Sequence, residues 1–235
     1  GWERADWFTN NESLKKPANS YDRQHWFDDV SKECNHVAEH CGVIDLTGFS
    51  RFEISGEGTS QWLETLITGR LPKIGKVGLV YFSSHKGKVL TEMTATRISE
   101  DHIWLLTGAG AYWHDRDWLN FNLPESSNIK IVDTTHDLGT MLLTGPKSDL
   151  LIAKLTDEKT DNESFPWLSH KSIKLCGENT RVLKVSYAGE KGFEIHVHNN
   201  SMKKIYDELV QHGENFNLIH FGMLALYSLG LEKFF

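Results

Sequence analysis

Two pairs of strand-like runs in this chain are joined by turns too short for anything but antiparallel pairing. Residues 78–83 and 88–98 flank His85-Lys86-Gly87, and residues 180–187 and 192–198 flank Ala188-Gly189-Glu190-Lys191. Parallel neighbours need a crossover of about a dozen residues or more. These hairpins therefore place their strands in antiparallel sheets and exclude a doubly wound parallel architecture.

The remaining runs fit around them. Further strands are expected at 43–46, 50–55, 102–107, 139–144 and 172–175. Val30, Cys34, Val37, Ala38 and Cys41 recur at helical spacing after Asp28-Asp29, acidic residues that suit a helix N-terminus. A second helix follows Gly56-Glu57-Gly58 and carries Trp62, Leu63, Leu66 and Ile67 on one face. Another, after Gly108 and Gly110, carries Trp113, Trp118 and Leu119. Gly145-Pro146 opens a helix with Leu150, Leu151 and Leu155. A polar loop spans 156–165, a helix from Asn200 carries Ile205, Leu209 and Val210, and the last residues read as an amphipathic helix. Glu53-Ile54-Ser55-Gly56 and Leu142-Leu143-Thr144-Gly145 both precede a helix, with their glycines 89 residues apart. The expectation is an α+β fold of duplicated β-α-β-β-α units, with antiparallel sheets flanked by helices. Residues 1–27 lack periodicity but hold Trp2, Trp7, Phe8, Trp26 and Phe27, as an extended arm lying over a neighbouring surface would. Residues 28–235 form the domain proper.

Composition narrows the function classes. The formal charge of −7 argues against phosphate neutralisation on a nucleic acid. No unbroken run approaches the roughly 18 apolar residues of a membrane span. Cys34, Cys41 and Cys176 are too few and too scattered for a disulfide framework, so free thiols and a reducing compartment are expected. That means cytoplasm, or mitochondrial matrix if the source is eukaryotic. Neither a nucleophile elbow nor a P-loop occurs, and the paired glycines at 56/58 and 108/110 lack the third glycine of a dinucleotide fingerprint. His36-Val37-Ala38-Glu39-His40 has the inverted zincin spacing. Both histidines fall towards the polar side of their helix, however, and the reading is a solvated face without metal.

The run Tyr187-Ala188-Gly189-Glu190-Lys191-Gly192-Phe193-Glu194-Ile195-His196 carries the chemistry. By the period of two, Phe193, Ile195 and Val197 share one face of the returning strand, and Glu194, His196 and His198 share the other. Tyr-x-Gly-Glu-x-Gly-aromatic-Glu resembles the folate-binding hairpin of the glycine cleavage T-protein (aminomethyltransferase) family. Gly42 to Thr47, Arg51 to Gly56, Gly87 to Met93, Leu142 to Pro146 and Ser228 to Lys233 follow in that family's order. The opening Gly1-Trp2-Glu3-Arg4 resembles the junction of dimethylglycine and sarcosine dehydrogenases, where a flavin oxidoreductase half precedes a T-protein-like half.

The resemblance implies a folate site in which Glu194 accepts the paired N–H donors of a pterin edge. Tyr187, Ile195 and His196 would line it, with Tyr81, Thr91, Glu92 and Met93 as a second wall and Glu92 as the carboxylate for proton transfer. It implies tetrahydrofolate as cofactor and FAD in an upstream domain outside this chain. The function it implies is acceptance of a one-carbon unit from an oxidised N-methyl amine or from formaldehyde, giving 5,10-methylene-tetrahydrofolate. A barrel domain would follow residue 235. Two departures stand out. Thr91 replaces the first Asp of Gly-Gly-x-x-Asp-Asp-Leu, and Gly230 replaces the Arg of the closing helix, removing a cation suited to the folate's anionic tail. A non-catalytic regulatory module without folate and a folate-dependent demethylase remain as alternatives, with a zinc hydrolase at His36 and His40 as a third.

Overall fold

The computed structural model describes residues 2–16, Ala18 and residues 20–234. After the arm, α1 (Phe27–Glu39) leads into β1 (Cys41–Asp45) and β2 (Phe49–Ser55), then α2 (Thr59–Leu66) and the short β3 (Ile67–Thr68). A meander of β4 (Val77–Ser83), β5 (Val89–Ser99) and β6 (His102–Gly108) follows, then α3 (Tyr112–Phe121) and β7 (Lys130–Asp133). The order then repeats with β8 (Leu138–Thr144), α4 (Ser148–Ile152), β9 (His170–Leu175), β10 (Glu178–Leu183), β11 (Gly192–His198), α5 (Asn199–Gly213) and β12 (Leu218–His220). The chain closes on α6 (Met223–Glu232).

The described residues build two six-stranded sheets, ordered β12-β1-β8-β11-β10-β9 and β3-β4-β5-β6-β2-β7. In each, a strand is followed by a helix and a three-stranded meander whose last strand returns to pair with it: β8 with β11 and β2 with β6. Four strands, β3 to β6, thus stand between α2 and α3, and three, β9 to β11, between α4 and α5, where a β-α-β-β-α unit has two. One pair, β1 with β12, is parallel. Gly56 and Gly145, the repeated glycines, occupy φ of +129° and +116°, and a Cβ at either would lie 2.4–2.6 Å from a backbone carbonyl oxygen. Both units therefore make the same strand-to-helix turn at a position open only to glycine.

Alternation along the strands sorts the side chains into layers. Met141, Leu143, Phe193, Ile195 and Val197 pack under α4 and α5, where Leu151, Ile152, Ile205 and Leu209 meet them. Phe52, Ile54, Met93, Ala95, Ile103 and Leu105 pack under α2 and α3 against Leu63 and Leu119. The opposite faces of the sheets turn towards each other around Trp104, Leu106 and Leu183. On that inner side α1 and α6 pack over Ile44, Leu46 and Leu142.

Several boundaries differ from the sequence reading. The helix expected over 28–41 ends at Glu39, and Cys41 already belongs to β1. Ile67 leaves its helix for β3, and α4 starts two residues after Pro146 and stops before Leu155. The strand expected over 180–187 stops at Leu183, although the Lys184 backbone still bonds to Ser169 and Leu168 while its side chain reaches Asn162 Oδ1 at 2.8 Å and the Thr160 carbonyl. The arm is ordered against the domain. Its Ala5 and Asp6 carbonyls accept from the N–H groups of Met223 and Leu224, satisfying donors that a helix start leaves free.

Candidate functional site

Polar residues are concentrated where the two sheets face each other. Arg51 on β2 is wholly buried, as are Thr140 on β8 and the Glu194–His196 pair on β11. Their spacing follows from register, since Glu194 lies opposite Leu142 and His196 opposite Thr140 on adjacent antiparallel strands. Arg51 Nη2 donates to Thr140 Oγ1 at 2.6 Å. Thr140 Oγ1 lies 2.8 Å from His196 Nδ1, and His196 Nε2 lies 3.1 Å from Glu194 Oε2. Because the guanidinium only donates, the threonine hydroxyl is free to give its proton to Nδ1, which leaves Nε2–H to donate to Glu194. The chain of bonds fixes one neutral tautomer.

Burial supports that state. It holds the His196 imidazole below its ordinary range, with the Arg51 and Arg181 charges adding to it and Glu194 opposing. Burial also lowers the Arg51 guanidinium to about 10, against the charges of Glu194 and Asp45. Four backbone or hydroxyl oxygens, of Phe49, Thr135, Thr47 and Thr140, surround Arg51. Trp104 of the facing sheet meets the His196 ring edge-on at 4.7 Å, with the Arg181 guanidinium 4.3 Å from the Trp104 ring centre. Arg181 is held in turn by a fork to both Glu53 oxygens at 3.0 and 3.1 Å. These contacts clamp the imidazole. Glu194 Oε2 is thereby engaged, while Oε1 is buried with no hydrogen-bond partner. Burying such an acceptor without a partner costs about 1–3 kcal/mol, a penalty that an incoming donor would relieve.

A cavity of about 570 Å3 lies nearby, lined by none of Arg51, Thr140, His196 and Glu194 themselves. Its walls are largely apolar, with Leu46, Leu79, Leu106, Met223 and Leu226 joined by Tyr187, Glu92 and Thr94. Tyr187 keeps 39% of its surface exposed, yet its hydroxyl end is enclosed. That enclosure and the charges of Glu194 and Glu92 push the phenol above its ordinary range, against a hydrogen bond with Thr94. Tyr187 thus couples the buried carboxylate electrostatically to the open cavity.

Of the residues proposed from the sequence, Tyr187 and Glu92 line the cavity, while Glu194 and His196 are bonded to each other behind it, with the Glu194 charge felt by Tyr187. Tyr81 lies directly across from Glu92 and is exposed; a hydrogen bond with Glu92, and its charge, raise the Tyr81 phenol. Met93, Ile195 and Thr91 are placed elsewhere. Met93 is sealed in the core under α2 and α3, and Ile195 in the core under α4 and α5. Thr91 shares the Met93 face and donates to Asp115 Oδ2 at 3.2 Å. All three alternate with residues that do face inward, so the pleat turns them away.

Asp115 went unnoticed in the sequence. It is wholly buried and also accepts from Thr107 Oγ1 at 2.7 Å, standing where Thr91 replaces a carboxylate of the family motif. The His36 and His40 rings meet edge-on at 4.7 Å, but His36 Nε2 is engaged with the Asn217 carbonyl. Among the described residues no group of three or more His, Cys, Asp or Glu is arranged to hold a metal ion, and no helix is long and apolar enough to cross a membrane.

A family model described as the GCVT N-terminal domain matches residues 1–235. The chain belongs to that family. This GCVT domain is 30% identical over 236 residues to dimethylglycine dehydrogenase, mitochondrial, of rat, an alignment that takes in 100% of the chain and 28% of that protein. It is 26% identical over 242 residues to the mouse pyruvate dehydrogenase phosphatase regulatory subunit, mitochondrial, again with 100% of the chain and 28% of the relative. The domain therefore spans little more than a quarter of the length of these relatives. Among solved structures, glycine cleavage system aminomethyltransferase T from Bartonella henselae matches with a TM-score of 0.75 at 19% identity, over 97% of this chain and 58% of that one. The likeness establishes the α+β fold with its two six-stranded sheets.

Proposed function

We propose that this GCVT domain binds tetrahydrofolate and holds it as acceptor for a one-carbon unit, released from an oxidised N-methyl amine of the dimethylglycine or sarcosine type. The observation that carries the reading is Glu194 Oε1, a buried acceptor without a partner among the described residues, whose charge reaches Tyr187 in the wall of a largely apolar cavity of ligand size. A reduced pterin presents a ring N–H next to an exocyclic amino group. Glu194 Oε1 would accept one of these donors, and Oε2 has a second lone pair for the other beside its bond from His196. A neutral His196 leaves the carboxylate charge uncancelled. Tyr187 and the aliphatic wall would flank the heterocycle and exclude water, which strengthens each polar contact inside. When bound, tetrahydrofolate supplies the amine nitrogens that take up the one-carbon unit. Glu92, solvent-facing in the cavity wall, would receive the proton released there.

The oxidised amine or formaldehyde would come from an FAD-containing domain outside these residues; that the rat relative is a dehydrogenase of which this chain covers 28% is in keeping with a separate oxidising portion. Three scattered cysteines suit a reducing compartment such as the cytoplasm or mitochondrial matrix. A second reading is favoured by Gly230 in the cavity wall and by the regulatory subunit among the relatives: a module that keeps the fold without the ligand.

Anaerobic calorimetric titration of tetrahydrofolate into the native full-length protein distinguishes them. The catalytic reading expects micromolar binding that weakens at least about tenfold, or roughly 1.4 kcal/mol, in Glu194→Gln. No binding by well-folded native protein would refute it and leave the regulatory module.

A further inference from the structure

The wall of the cavity contains Gly230 and Leu231 of α6 and, facing the same space, Arg4 of the N-terminal arm. Arg4 is the single cation among the residues that line it. Its Nη2 donates to the Gly48 carbonyl at 2.8 Å, and its guanidinium carbon stands 5.9 Å from the Phe49 ring centre. A Cβ at position 48 would come within 3.0 Å of that nitrogen, so glycine there gives the guanidinium its seat. Among the described residues Arg4 makes no ion pair with a carboxylate, and most of its five N–H groups remain available.

The arm is held firmly beside Arg4. The Ala5 and Asp6 carbonyls cap the start of α6. Glu33, itself buried, accepts from the Phe8 N–H at 2.6 Å and the Gly222 N–H at 2.9 Å, tying arm and helix to one carboxylate. A Cβ on Gly222 would fall 2.1 Å from the Asp6 carbonyl oxygen, so the arm lies directly on the helix backbone. The docking that completes α6 is the docking that delivers Arg4 to the cavity.

We propose that Arg4 is the specificity-determining cation of this site and recognises the anionic carboxylate tail of the ligand, a task for which α6 offers only Gly230. The inference rests on the folate reading above. Arginine suits it because its planar fork meets a carboxylate with two parallel hydrogen bonds, a geometry that lysine cannot copy.

The test is calorimetry on the native full-length protein with two probes: tetrahydrofolate, which carries the tail, and 6-methyltetrahydropterin, which does not. Arg4→Gln should weaken tetrahydrofolate about tenfold while leaving the tetrahydropterin unchanged, and Arg4→Lys should fall between. Glu194→Gln should weaken both probes. Equal weakening of both probes in Arg4→Gln, or none, would overturn the assignment while the folate site stood. If the unaltered protein bound neither probe, the folate reading and the role of Arg4 would fail together.

Discussion

Thr140→Val removes one hydroxyl and almost no volume, yet it cuts the buried chain of hydrogen bonds at its centre. Thr140 Oγ1 receives Arg51 Nη2 at 2.6 Å and meets His196 Nδ1 at 2.8 Å, in a position closed to solvent. In the valine variant His196 Nδ1 has no partner, at a cost of about 1–3 kcal/mol. Arg51 Nη2 keeps the Thr47 carbonyl at 3.0 Å, so its loss lies at the low end of that range. The sum is about 3 kcal/mol. For a domain of this size that corresponds to a fall in Tm of roughly 6–12 °C. Urea denaturation should show a lower midpoint with an unchanged slope. Thr140→Ser, which keeps the hydroxyl and loses only a methyl, should cost about 1 kcal/mol. A loss below about 0.5 kcal/mol in the valine variant would refute the relay and the single tautomer derived from it.

Two further outcomes follow from other parts of the structure. The folded state holds His196 below its ordinary range, so on acidification the unfolded chain takes up this proton first. Stability should be full above about pH 6.5 and fall as the pH drops below it, by up to about 1.4 kcal/mol per pH unit for this residue; urea midpoints that stay flat from pH 8 to 5 would contradict this. Gly145→Ala combines a φ of +116° with a Cβ 2.6 Å from the His40 carbonyl oxygen, whereas Gly58→Ala at φ +85° meets open space. The first should cost well over the roughly 1–2 kcal/mol of left-handed strain expected of the second, and equal losses by thermal unfolding would show the steric argument to be wrong.

Antiparallel pairing was legible in the sequence at two of the short turns, while the equally short β5–β6 and β9–β10 connections were read only as separate strands. Both hairpins appear, and so does the turn shared by Gly56 and Gly145. The parallel pairing of β1 with β12 was not, because it joins Cys41 to Leu218 across almost the whole chain and leaves no local pattern. β7, a four-residue edge strand with three exposed or half-exposed positions around Ile131, has too little apolar alternation to stand out. At the site, the period of two already placed Glu194 and His196 on one face and Ile195 on the other. A contiguous run of proposed site residues from 91 to 93 conflicts with that pleat, and alternation separates Glu92 from Thr91 and Met93. His198 shares the Glu194 face by count, but it sits at the strand end and accepts from the Asn200 N–H at the start of α5. Arg51 illustrates the limit of such reading. Its sequence neighbours place it on a strand, but its burial comes from the facing sheet, which no local spacing reports.

The arm that carries Arg4 is synthesised long before the helix it completes. Ala5 and Asp6 must wait for Met223 and Leu224, more than two hundred residues later, before their carbonyls find the donors they satisfy. At about 5–20 residues per second, that interval is on the order of ten seconds or more, during which Trp7 and Trp26 lack the α6 side chains of the cluster they pack against. Closure of the cavity is therefore among the last events in making the domain. A nascent chain halted short of α6 would hold Glu194 and His196 on β11, already paired with β8, and still lack the wall that encloses the neighbouring space.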